Sequence, residues 1–207
     1  MSKLIINGDS FARPDDADFA WTNQLGRHYD TIYNIAESGT GFDYHIDNFL
    51  KIYDDKNLIK EETDIIWIIT SWHRWNFPFL REPLHQSKSL DKTFYQKHYK
   101  KKLKFINEFL HYKFNGHHKR THIIANSLLI KFYSREFRKI ILWSAFELFT
   151  DVEYAALSDM KCHVAQETLM DFTNNTHNDI AHPDYRVNHM DVKYHNKLYD
   201  YCHKVLL

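Results

Sequence analysis

Lys3-Leu4-Ile5-Ile6-Asn7-Gly8-Asp9-Ser10-Phe11 opens on an apolar run that does not alternate with polar residues. Such a run is expected of a strand covered on both faces, as in a parallel sheet. It stops at Gly8-Asp9-Ser10, where glycine permits a sharp turn and Asp-Ser favours one. The same pattern returns downstream. Thr31-Ile32-Tyr33-Asn34-Ile35 reads as a second short strand, Asp64-Ile65-Ile66-Trp67-Ile68-Ile69-Thr70 as the clearest strand, and Lys139-Ile140-Ile141-Leu142-Trp143-Ser144 as a fourth. Between them, helices are expected near 17–26, 43–53, 91–115 and 121–135, with a closing helix over 191–206. Residues 73–90, with Pro78 and Pro83, read as a long loop or lid.

Strands that alternate with helices imply βαβ units and a mainly parallel sheet. The 207 residues are enough for one domain over 1–207 with helices on both faces. In open sheets of this kind a ligand binds beyond the carboxyl ends of the strands. Ser10, Gly39-Thr40-Gly41 and Ser71 each follow a strand and should converge on that rim. Five glycines serve the whole chain. Gly8, Gly39 and Gly41 fall in two rim loops, Gly26 fits a helix cap, and Gly116 fits the end of a long helix.

Composition excludes several classes. Lys+Arg and Asp+Glu both number 27, so the formal net charge is zero and no basic field argues for nucleic acid. Lys97–Lys104 and His117–Arg120 are basic, but a solvated helix face accounts for them. No run reaches the ~18 apolar residues of a membrane span. Lys3–Ile6 is too short for a leader's apolar core, so a cytoplasmic protein is expected. Cys162 and Cys202 lack metal-ligand spacing and read as free thiols. No His-Glu-x-x-His and no Gly-rich phosphate loop occurs. No metal and no cofactor are expected, and oligomeric state is not readable.

Near the C-terminus, Asp184-Tyr185-Arg186-Val187-Asn188-His189-Met190-Asp191 leads into the closing helix. Serine after the first strand and histidine before the last helix are two parts of a hydrolytic triad. Gly8-Asp9-Ser10, Ser38-Gly39 after the second strand and the C-terminal histidine together resemble the SGNH/GDSL hydrolase family, in its small single-domain phage and bacterial type. The resemblance spans nearly the whole chain. It implies a three-layer α/β/α sandwich with a flavodoxin-like sheet, and a serine esterase working through an acyl-enzyme. O-acetyl groups on carbohydrate are a plausible substrate class.

By that resemblance Ser10 is the nucleophile, His189 the general base and Asp184 its orienting acid. The Ser10 and Gly39 amides bind the oxyanion. The family's third block usually supplies an asparagine donor. This chain has Ile69-Thr70-Ser71-Trp72-His73 instead, leaving Ser71 or Thr70 to donate. Losing such a donor costs about 3 kcal/mol. Asp179-Ile180-Ala181-His182 satisfies the family's Asp-x-x-His spacing, so His182 with Asp179 is the alternative base and acid. His189 is preferred because Asp191, two residues on, is a good N-cap that anchors it to the last helix. An O-acyltransferase with the same triad and a non-catalytic module of the same fold stay open. Trp72, Trp75, Phe77 and Phe79 suit either an aromatic wall for substrate or the packing of a lid.

Overall fold

Strands β1 (Lys3–Asn7), β2 (Thr31–Asn34), β3 (Thr63–Ile69), β4 (Arg74–Trp75), β5 (Leu84–His85), β6 (Lys139–Ser144) and β7 (Cys162–Val164) follow one another along the chain. The computed structural model describes residues 2–38, 40–70, 74–75, 84–85, 116–159, 161–173 and 190–207, the backbone alone for 74–75, 84–85 and 116–123. Five strands form one sheet in the order β2-β1-β3-β6-β7, every neighbouring pair parallel. β4 and β5 make a separate antiparallel ribbon inside the expected loop. The helices are α1 (Trp21–Gly26), α2 (Phe42–Tyr53), α3 (Gly116–Ser134), α4 (Asp151–Leu157), α5 (Leu169–Phe172) and α6 (Val192–Leu206).

Side chains alternate across each strand, so the sheet feeds two cores. Leu4, Ile6, Ile66, Ile68, Ile141 and Trp143 meet Trp21 and Leu25 of α1 and Leu198, Cys202 and Leu206 of α6. Ile5, Ile65, Trp67, Ile69, Ile140 and Leu142 meet Phe42 and Phe49 of α2, Ile130 of α3 and Leu157 of α4. This is the expected three-layer α/β/α sandwich, with its flavodoxin-like strand order. The helices change faces where the strand order reverses: parallel crossovers are right-handed, so α1 leads one way across the sheet and α2 returns on the other face.

Two glycine readings are corrected. Gly26 is the last residue of α1 rather than its cap, and Arg27 caps in ordinary helical geometry. A Cβ there would meet only the tip of the exposed Ile32 side chain, which can swing aside. Gly116 begins α3 instead of ending a helix. The expected helix over 91–115 and most of 73–90 lie outside the described residues. The short elements β7, α4 and α5 escaped the sequence reading. Each has seven residues or fewer, too few for periodicity to register.

The amino rim of the sheet holds a charged cluster. Asp64 is fully buried at the start of β3. It accepts two hydrogen bonds from the Arg138 guanidinium and one from Tyr29 Oη at 2.7 Å. Burial, then the Asp64 carboxylate, pushes the Tyr29 phenol well above its ordinary range. The hydrogen bond to Asp64 likewise raises Arg138, which stays charged. Arg138→Met would strand the carboxylate. It should cost about 3 kcal/mol, the low end for a broken buried pair because Arg138 is 37 % exposed. Urea denaturation reads the loss.

Cys162 and Cys202 lie in the two separate cores, on opposite faces of the sheet, and are free thiols. Burial pushes Cys162 up to about 12 and raises Cys202 as well. Raised folded-state values hold stability below the unfolded thiol's range and lose it as pH climbs. Unfolding free energy should therefore fall above pH ~8.5, by up to roughly 1.4 kcal/mol per unit for each thiol. Denaturation at pH 8 and 10 should show a smaller drop for Cys202→Ala than for the parent chain.

Candidate active site

The strand order reverses between β1 and β3, and the carboxyl ends of those two strands flank the crevice where such sheets take ligands. Gly8-Asp9-Ser10 leaves β1 at that point. Gly8 has φ +149°, and a Cβ there would sit 2.5 Å from Ile68 Cβ. Both the conformation and the approach to β3 require glycine. Asp9 is fully buried, its Oδ1 accepting from the Phe11 amide at 3.2 Å and its Oδ2 from Thr70 Oγ1 at 3.2 Å. The Ala12 amide donates to the Asp9 carbonyl at 3.0 Å, closing a turn with Ser10 and Phe11 at its centre.

A turn therefore follows Ser10, as the Asp-Ser pair favours, and α1 begins only at Trp21. Ser10 is buried, 7 % exposed. Among the described residues nothing hydrogen-bonds its hydroxyl. Neighbouring elements hold the turn. Asn34, ending β2, donates to the Ala12 carbonyl at 2.9 Å, and the Trp21 indole donates to the Phe11 carbonyl at 2.9 Å. Asp9 fixes it to Thr70 beyond β3. A serine held this way keeps its position without using its own side chain.

The loop after β2 extends the parallel ladder past the strand ends, with the Ile35 amide on the Ile6 carbonyl and the Glu37 amide on the Gly8 carbonyl. Thr40 donates to the Glu37 carbonyl at 2.6 Å and lies 2.8 Å from Nε2 of His45, which is fully buried. The threonine's one proton is taken, so His45 Nε2 donates to Thr40. Asn7, the last residue of β1, donates to the His45 carbonyl at 2.9 Å. The loop on either side of position 39 is thereby tied to the strand that leads into the Ser10 turn.

Gly39, Ser71, His182, His189, Asp179 and Asp184 lie outside the described residues, as do Trp72, Phe77, Phe79 and the side chain of Trp75. Met190 and Asp191, at the start of α6, are described. Met190 is buried in the core shared with α1, and Asp191 is the N-cap of α6. Sequence reasoning placed Thr40 on the rim but missed Asn7, Asn34, His45 and Trp21. For Asn7 and Asn34 the available signal was a polar residue at the end of an apolar strand, where backbone groups run out of ladder partners. Among the described residues no group of three or more His, Cys, Asp or Glu could hold a metal ion, and no helix is long and apolar enough to cross a membrane.

Solved structures share this architecture over the full length. A member of the lipolytic protein G-D-S-L family from Veillonella parvula is similar with a TM-score of 0.53 at 10 % identity, covering 100 % of this chain and 98 % of its own. TesA is similar with a TM-score of 0.51 at 10 % identity, covering 99 % and 98 %. At such identities the likeness is one of fold, and this chain has the SGNH hydrolase fold. No protein-family model and no curated protein matches the sequence.

Gly8→Ala tests how far the site depends on its close approach to β3. Strain at positive φ together with the clash against Ile68 should cost about 2–4 kcal/mol. Urea denaturation should show that loss, and truncating Ile68 to alanine should not recover it, because the clash is with Ile68 Cβ and the Ile68 carbonyl oxygen, which alanine keeps.

Proposed function

We propose that the chain is a serine esterase of the SGNH/GDSL type with Ser10 as its nucleophile. The observation that carries the reading is Gly8-Asp9-Ser10 at the carboxyl end of β1, at the switch point of the sheet, in a turn held by a carboxylate and two carbonyls. The shared fold with G-D-S-L lipolytic proteins supports it.

His189 takes the proton of Ser10 Oγ as it attacks the ester carbonyl, and Asp184 orients the imidazole. The Ser10 and Gly39 amides and the Ser71 hydroxyl donate to the oxyanion. His189 then returns the proton to the leaving alcohol, and water, activated by the same histidine, cleaves the acyl-enzyme. The substrate class is a small-molecule or carbohydrate ester, with O-acetyl carbohydrate first among candidates. His189 precedes a helix that packs into the core, and proton transfer over ~3 Å needs that anchoring. His182 with Asp179 is the alternative pair.

A fluorophosphonate probe should label Ser10 alone, and Ser10→Ala should abolish both labelling and hydrolysis of a short acyl ester with little change in thermal stability. His189→Ala should lose at least ~100-fold in kcat/KM and His182→Ala less than ~10-fold. Wild-type turnover by Ser10→Ala overturns the esterase reading. A greater loss at His182 reassigns the base and makes Asp179 the acid.

A further inference from the structure

Two buried polar groups on the α1–α6 face are not used by the proposed chemistry. The Trp21 indole Nε1 donates to the Phe11 carbonyl at 2.9 Å, and the Trp21 amide donates to His195 Nδ1 at 3.2 Å. Trp21 is 1 % exposed and His195 is fully buried. The chain carries on inside α6, where the His195 amide donates to the Asp191 carbonyl at 3.3 Å. One end of this path is the residue after Ser10. The other is the N-cap of α6, two residues beyond His189.

We infer that Trp21 and His195 form a positioning strut that sets the spacing between the nucleophile turn and the histidine-bearing entry to α6. The inference rests on the esterase reading above. Its local cause is a missing cap. Ala20, the N-cap of α1, has no side chain to satisfy the first amides of the helix. His195 satisfies one of them from 174 residues away. Accepting from an amide requires a lone pair on Nδ1, so the neutral ring carries its proton on Nε2. Phe19 packs edge-on against the same ring, with centroids 5.4 Å apart. Burying an imidazole is costly unless it is hydrogen-bonded. A leucine would fill the space without that demand, whereas the imidazole adds direction: it fixes how α6 sits along α1.

Trp21 serves both ends because one residue donates twice, through its amide to α6 and through its indole to the turn. The two donors are joined by a single rigid side chain with two rotatable bonds. A displacement of the α6 entry is therefore passed to Phe11 and, through one peptide bond, to Ser10. Misplacement of a catalytic group by about 1 Å costs on the order of 100-fold in rate.

The test is the second-order rate of fluorophosphonate labelling at Ser10, measured per folded molecule together with Tm. The proteins compared are the wild type, Trp21→Phe, His195→Leu, His195→Gln and the Trp21→Phe/His195→Leu double variant. Trp21→Phe keeps the amide and the bulk, and His195→Leu keeps the burial, so each breaks one link. Each should slow labelling by roughly 10- to 100-fold. His195→Gln, whose amide oxygen can accept from Trp21, should stay within about 3-fold of wild type. The double variant should be no slower than the slower single, because both act through one path. Wild-type labelling rates in Trp21→Phe and His195→Leu, with only Tm lowered, overturn the strut and leave the esterase reading standing. A wild-type chain that does not label at Ser10 removes both.

Discussion

β1 and β3 lie side by side in register with protein on both faces, and that pairing constrains everything else in the molecule. Between Lys3 and Asn7 no backbone group can turn to water, so each must find its partner in the sheet. Polar side chains are thereby pushed to the two rims. At the amino rim Asp64 gathers Arg138 and Tyr29. At the carboxyl rim Asn7, Asp9 and Thr70 knit the first turns after the strands. Gly8 marks where the pairing becomes too close for a side chain, and the backbone escapes there through positive φ. The candidate nucleophile comes two residues later, so its location is a product of strand packing before any chemistry is considered.

The closing helix is fixed at both ends by different means. Near its start, His195 receives the Trp21 amide. At its end, Lys139 Nζ, at the start of β6, donates to the Val205 and Leu206 carbonyls at 3.0 and 3.1 Å. A cation at a helix C-terminus is favoured by the helix dipole as well as by the hydrogen bonds. α6 thus spans the sheet from rim to rim, pinned to α1 at one end and to β6 at the other. A residue placed just before such a helix inherits its rigidity.

The parallel sheet was legible because its strands are long, unalternated and interrupted by turn residues. β3 and β6 stand within a residue of their expected bounds. β7 was not legible: Cys162-His163-Val164 is three residues, recruited to the edge by β6 rather than by its own pattern. At the site, Gly-Asp-Ser could be read because glycine and a small polar pair are strong turn signals. The supports around it could not. Asn34 and Asn7 donate to backbone carbonyls of other elements, contacts that leave no spacing in the chain. Gly26 shows the converse, a residue read as a cap that the helix takes in as its last residue. Gly39, Ser71 and the residues from Asp179 to His189 lie outside the described residues, so the rest of the site stands on resemblance.

The two cores also differ in what they contain. Trp21 and Trp143 sit on the α1–α6 face with their indoles hydrogen-bonded to the Phe11 and Glu167 carbonyls, whereas Trp67 sits on the α2–α3 face with no acceptor for its N–H among the described residues. Fluorescence therefore separates the layers. Trp67, in apolar surroundings and without a hydrogen bond, emits at shorter wavelength than the other two. Variants retaining one of these three indoles report one side of the sheet each. Whether the helical layers melt together or in sequence is thus written into the optical properties of three buried indoles.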